Sequence, residues 1–308
     1  MKIIFFTGKG GVGKSTMSAA SAWQLSQKHR VLNVSLDPAH NLGDIFDITL
    51  TDKATRFTDT LYLKEIDLKR LSKEYLKREI TVLSNTYKYL QVLNLDNYFS
   101  VLKYSPGIEE YALLTSIEKT IRDEKDFDYI IFDTPPTGLT LRFLALPSIT
   151  ITWIDRLIKI RRQILEKRYT IHRIRGPLSQ EETLLEYDEN KDEVLTRLHT
   201  LKQNYEKLTG ILQGKDTSMA LVFNPDILSL KESLRLIEGL NDLNLPLRLL
   251  INNKVTEATE EMAAHVEKIM KQAVHNVPIE RVPLSSSILG GKDNKLYDIE
   301  KDITTHFL

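Results

Sequence analysis

Short apolar runs alternate with longer amphipathic stretches along this 308-residue chain. Residues 2–7, 31–36, 61–66, 129–133, 219–223, 247–251 and 280–283 are β-rich, and each of the earlier ones is followed by helix-forming sequence. Such alternation predicts an α/β fold with a mostly parallel sheet covered by helices on both faces. The run Ile3-Ile4-Phe5-Phe6 is continuous rather than alternating, as a parallel strand buried on both faces requires. Two stretches break the rhythm, at about 68–104 and 148–212, and both are rich in Leu, Lys, Arg and Glu. They are far longer than ordinary connections, so they are expected to be inserted helical hairpins that pack together as an α-helical subdomain. With no internal repeat or low-complexity linker, residues 1–308 are expected to form one domain carrying these insertions.

Charge then narrows the partners. Lys plus Arg and Asp plus Glu both total 42, so no global field draws the chain to nucleic acid or to an acidic membrane. There are no cysteines, which removes disulfides, thiolate zinc sites, iron-sulfur clusters and cysteine nucleophiles. The apolar start ends after four residues at Thr7 and Gly8, too short for a signal peptide. No uninterrupted apolar stretch approaches the roughly 18 residues needed to span a bilayer. The expected location is cytoplasmic, with any membrane association indirect.

Candidate chemistry begins at Gly8-Lys9-Gly10-Gly11-Val12-Gly13-Lys14-Ser15, followed by Thr16. A glycine, four residues and Gly-Lys-Ser between a strand and a helix is the P-loop pattern of a nucleotide-binding fold. Its glycines let backbone N–H groups curl around phosphate oxygens, while the helix N-terminus adds partial positive charge. Lys14 would reach the β- and γ-phosphates of ATP, and the Ser15 hydroxyl would ligate Mg²⁺. Asp37, after the second strand, is placed to orient or deprotonate water and to support the metal, or else it only caps the turn at Pro38. Asp133, closing the strand Tyr129-Ile130-Ile131-Phe132, is placed to hold Mg²⁺.

These segments together resemble the ArsA family of arsenite-pump and tail-anchored-protein-targeting ATPases. Lys-Gly-Gly-Val-Gly-Lys-Ser (residues 9–15) is similar to the family's deviant Walker A loop, and Asp-Pro-Ala-His-Asn-Leu (residues 37–42) is similar to its switch I. The resemblance implies an ATP-hydrolysing homodimer in which Lys9 reaches the partner's phosphates and Asp37 activates water. Read alone, Lys9 could be a solvated loop lysine. Thr134-Pro135-Pro136-Thr137-Gly138-Leu139-Thr140-Leu141-Arg142 resembles switch II, with Pro135 and Leu139 where the family has alanine and histidine. Pro106-Gly107-Ile108-Glu109-Glu110 is similar to a dimer-facing segment, though it reads equally as a helix start. Asp226 falls where the family has an acidic residue touching the partner's nucleotide. Asn252, with Asn253 competing, matches an adenine-reading asparagine, and Pro283-Leu284-Ser285 matches the adenine-side loop.

What the resemblance implies about cargo is a hydrophobic protein client, possibly a tail-anchored membrane protein. The family's cysteine-based arsenite and zinc sites have no counterpart here. In the second insertion, Trp153, Ile154, Leu157, Ile158 and Leu165 share roughly one side of a helix, with Arg156, Lys159, Arg161, Arg162, Lys167 and Arg168 opposite. This is either a groove for a hydrophobic helix or plain core, with the basic arm paired to Glu181, Glu182, Glu186, Asp188 and Glu189. The competing functions are a P-loop kinase or ATPase acting on a small metabolite, a partner-regulating subunit without a hydrophobic client, and a scaffold that binds nucleotide without turnover.

Overall fold

The computed structural model describes residues 1–38, 41–86, 107–175, 187–284 and 296–307. Its strands are β1 (Lys2–Thr7), β2 (Val31–Ser35), β3 (Thr55–Arg56), β4 (Leu61–Glu65), β5 (Tyr129–Asp133), β6 (Thr217–Phe223), β7 (Leu247–Val255) and β8 (Ile279–Pro283). Helices are α1 (Lys14–Ser26), α2 (Asn41–Phe46), α3 (Leu68–Thr86), α4 (Ile108–Asp123), α5 (Thr137–Arg175), α6 (Glu193–Leu212), α7 (Ile227–Asp242) and α8 (Glu260–Ala273).

All eight strands form one sheet in the order β3-β4-β2-β5-β1-β6-β7-β8. Every pairing is parallel except β3 with β4. Strand β3 is only two residues long and carries no apolar pattern, so the sequence gives no warning of it. Ile3, Ile4, Phe5 and Phe6 of β1 are all buried, and because successive side chains point to opposite faces, helices must cover both. On one face Ile4 and Phe6 share a core with Met17 and Leu25 of α1 and with Ile303 and Phe307 near the end of the chain. On the other, Phe5 stacks on Phe132 with ring centroids 4.9 Å apart. The C-terminal segment is tied down as well: the Gln24 amide donates to the Lys301 carbonyl at 2.7 Å, and Ile303 N–H donates to Gln24 at 3.2 Å.

The chain groups into two compact units, residues 1–144 with 213–308, and Ala145–Leu212. Residues 68–86, expected to join the second insertion, instead belong to the sheet unit, where Tyr75 of α3 stacks on Tyr111 of α4 at 5.8 Å. The remainder of the first insertion, 87–104, lies outside the described residues. The second insertion begins earlier than its expected start at residue 148: α5 starts at Thr137 and continues through Pro147. Pro135 and Pro136 precede its first turn, where a missing N–H costs nothing, and Pro136 supplies the carbonyl that accepts from Leu139 N–H at 3.1 Å.

Within Ala145–Leu212, Ile154, Ile158 and Leu165 pack on Leu195, Leu198 and Tyr205. Trp153, Leu157, Ile160 and Ile164 are instead exposed, so the apolar residues of α5 divide between core and surface. Arg161 grips Asp192 with two hydrogen bonds, at 3.1 and 2.6 Å. Arg162 pairs with Glu189 at the surface, while Glu181, Glu182 and Glu186 lie outside the described residues. Among the described residues one helix, Thr137–Ile174, is long and apolar enough to cross a membrane, by length and composition alone. Of its most apolar 18-residue window 28% is buried; Ile154, Ile158 and Leu165 face the core, while Trp153, Leu157, Ile160 and Ile164 do not.

Asp192 also caps α6, accepting from Leu195 N–H at 2.8 Å. Its side chain is 2% exposed, and the Arg161 guanidinium holds its carboxyl below the usual carboxylate range. A carboxylate lowered by folding contributes stability that is present above the ordinary value near pH 4 and lost as pH falls through the lower native value. Asp192→Ala is expected to cost the helical unit roughly 3 kcal/mol, through the lost cap and the stranded Arg161. Urea melts and hydrogen exchange of α6 amides would read this, and the deficit should shrink at acidic pH.

Candidate functional site

Strand β1 lies between β5 and β6, and β5 in turn pairs with β2. Residues leaving β1, β2 and β5 therefore emerge side by side at the carboxyl edge, where open α/β sheets bind ligands. The P-loop starts there. A Cβ on Gly8 would lie 2.1 Å from the Val222 carbonyl of β6, so only glycine lets the chain turn out of β1 so close to its neighbour. Gly13 has φ of 97° and precedes α1 as its N-cap, with no side chain capping the helix. The N–H groups of the first turn are thus left for an anion.

A cleft of about 530 Å³ opens at this point, lined by Gly10, Gly11, Gly13, Lys14, Ser15, Thr16, Asp37, Asp44, Ile45, Pro136 and Leu296. Lys14 is 5% exposed. Burial lowers its pKa, and Asp133 and Asp37 nearby push the other way. Its ammonium donates to the Lys9 carbonyl at 3.3 Å. Val12 is buried beneath the loop, and the Lys9 side chain is half-exposed.

Asp133 is fully buried, and neither carboxylate oxygen has a hydrogen-bond partner. Burial pushes its pKa up to about 7, against the lowering influence of the Ser15 hydroxyl and Lys14. The hydroxyl is near enough to act but short of a well-formed hydrogen bond. A buried, unpaired carboxylate is costly, and its orphaned oxygens beside a hydroxyl suit a hard cation. Among the described residues no group of three or more His, Cys, Asp or Glu side chains converges. Magnesium takes one or two protein oxygens and completes its shell with phosphate and water.

Neighbouring strand ends are laced together around these groups. Thr134 donates to the Phe6 carbonyl at 2.8 Å, and Thr140 to the Pro135 carbonyl at 2.7 Å. Asp37 is buried beside Pro38; Ala39 and His40 lie outside the described residues. Farther along, Glu65 at the end of β4 accepts from Gly43 N–H at 2.9 Å, an anchor the sequence reading missed. An acidic residue ending a strand next to β2 was its only signal. Glu110 pairs with Arg142 at 3.3 Å, which joins the start of α4 to the switch II segment; Pro106 lies outside the described residues.

The three remaining candidates stand apart from this cleft. Asn252 is fully buried and donates to Glu267 of α8 at 2.8 Å. Asn253, on the opposite face of β7 because side chains alternate, donates to the Val12 carbonyl of the P-loop at 2.8 Å. Of the two asparagines it is therefore Asn253 that reaches the phosphate loop. Asp226 caps α7, accepting from Ser229 N–H at 2.7 Å. Pro283 ends β8, exposed, and Ser285 lies outside the described residues. Lys254, which the sequence reading also passed over, donates to the Gly11 carbonyl at 2.8 Å.

Comparison with known proteins agrees with this architecture. A family model described as an anion-transporting ATPase, ArsA_ATPase, matches residues 1–285. The chain is 34% identical over 257 residues to an Aquifex aeolicus protein named as an arsenical pump-driving ATPase, covering 83% of this chain and 80% of that one. It is 31% identical over 305 residues to a Plasmodium vivax protein named ATPase ASNA1 homolog, covering 96% of this chain and 74% of the other. Given the loop, the buried carboxylate behind it and a match across nearly the whole length, the chain belongs to the ArsA family and is an ATPase.

Proposed function

We propose that the chain is an ATP-switched homodimer that holds and releases a hydrophobic protein segment, acting in the cytoplasm. The observation that carries the client half of this reading is the exposed row Trp153, Leu157, Ile160 and Ile164 on α5, which continues at Ile171 and Ile174. These residues follow three- and four-residue spacing along one side of the helix, and a contiguous apolar surface of this kind marks a contact site.

In the nucleotide half, Lys14 and the first-turn N–H groups of α1 would bind the β- and γ-phosphates, and Ser15 and Asp133 would hold the metal, with Asp37, just beyond β2, in support. Mg²⁺ bound with ATP would supply charge neutralisation on the phosphate oxygens. Asp37 holds the attacking water in line and accepts its proton. Lys9 carries the dimer half: among the described residues its ammonium makes no hydrogen bond or ion pair. That leaves it available to a partner subunit's phosphates, where a cation acts as an arginine finger does.

Asp37→Asn should bind ATP and lose turnover by at least about a hundredfold, the range of a missing general base. In gel filtration it should stay dimeric with ATP and retain a bound hydrophobic peptide. Parental phosphate release from this variant would remove Asp37 from the mechanism.

Asp133→Asn should separate stability from function. A carboxylate whose native pKa is raised costs stability increasingly as pH climbs from its unfolded value to about 7, and the cost is fully present above that. Replacing it should stabilise the nucleotide-free protein at pH 8 by a few kcal/mol at most and abolish the Mg²⁺-dependent gain in nucleotide affinity. Thermal melts with and without Mg-ADP would read both effects.

A further inference from the structure

The geometry points to Lys254 as a positioning residue that braces the P-loop from outside and sets nucleotide affinity. It is a non-glycine residue at φ 60°, a left-handed conformation unfavourable for an L-residue. The β7–β8 register shifts between Asn253 and Val255, so Lys254 occupies the irregularity. Such irregularities re-aim side chains, and the result is visible here. Side chains on a regular strand alternate in direction, yet Asn253 and Lys254 both reach the same loop.

Together the two residues span the loop's outer side. Asn253 donates to the Val12 carbonyl and Lys254 to the Gly11 carbonyl, each at 2.8 Å. The Lys254 stem passes beside Gly13, its Cε 4.0 Å from where a Cβ would stand. Gly11 is exposed, at φ 80°, and a Cβ there would have no neighbour within 4 Å. The apex of the loop thus has no packing of its own to fix it. With the outward carbonyls of Gly11 and Val12 engaged by donors from β7, the peptide planes are held so that inward N–H groups remain for phosphate. Holding them before ligand arrives reduces the ordering cost of binding.

This inference rests on the P-loop being the nucleotide site, which Lys14→Ala tests independently. In the full-length protein, ADP and ATP affinities would be measured by calorimetry for Lys254→Met, Lys254→Gly and Lys254→Arg, at low and high salt. Lys254→Met and Lys254→Gly are expected to weaken both nucleotides about tenfold, the scale of one charged hydrogen bond. KM for ATP should rise in parallel, with kcat falling less than about threefold. Lys254→Arg should restore most of the affinity. Lys254→Gly removes the brace and relieves the left-handed strain, so its melting temperature should equal or exceed the parent's, which separates lost positioning from lost folding. The weakening should persist at high salt, which screens a mere remote charge. Parental affinity in Lys254→Gly, or a loss in Lys254→Met that vanishes at high salt, would overturn the assignment. If Lys14→Ala also bound nucleotide normally, the site itself would be at fault; if only Lys14→Ala failed, the brace would be.

Discussion

An ammonium and a carboxylate kept almost entirely from water lie at the carboxyl edge of the sheet: Lys14 opens α1 beyond the end of β1, and Asp133 ends the adjacent β5 with neither of its oxygens hydrogen-bonded. Each would be better solvated almost anywhere else. They are held in place by the sheet. β1 pairs with β5 on one side and β6 on the other, and β5 with β2, so the register of four apolar strands fixes where these charges must emerge. The core formed by Phe5, Phe6, Ile131 and Phe132 thereby supplies the free energy that keeps two unfavourable groups poised. Completion of the site by phosphate and metal would relieve the mismatch, coupling ligand binding to stability.

The same logic distinguishes the two units. In the sheet unit, polar groups at the carboxyl edge are laced to backbone carbonyls across strands, as Thr134 to Phe6 and Glu65 to Gly43 show. Ala145–Leu212 has a smaller apolar cluster and relies on one bidentate pair, Arg161 with Asp192, that also caps α6. Fewer buried contacts imply lower local stability.

Much of the fold was legible in the sequence because buried parallel strands write themselves as uninterrupted apolar runs, as 3–6 and 129–133 do. β3 was not, since two residues, Thr55 and Arg56, carry no period. α5 starts at Thr137, ahead of the expected insertion at 148, because Pro135 and Pro136 stand before its first turn, where prolines favour a helix start. In the site, Gly8 to Ser15, Asp37 and Asp133 could be found because strand, loop and helix succeed one another locally. The roles of Asn253, Lys254 and Glu65 could not, because they depend on contacts between residues far apart in the chain. The choice between Asn252 and Asn253 is a case in point: adjacent identical residues differ only in which sheet face they occupy.

The empty space beside Gly13 is filled by a residue 240 positions away: a Cβ there would stand 2.3 Å from the Asn253 amide nitrogen. Neither position can drift by itself over generations. A methyl at 13 demands a smaller neighbour at 253, and a bulkier residue at 253 would press on the backbone at 13. Descendants of this sequence would therefore inherit the pair as one unit, and a covariation signal joining its two ends would be the trace that this constraint leaves.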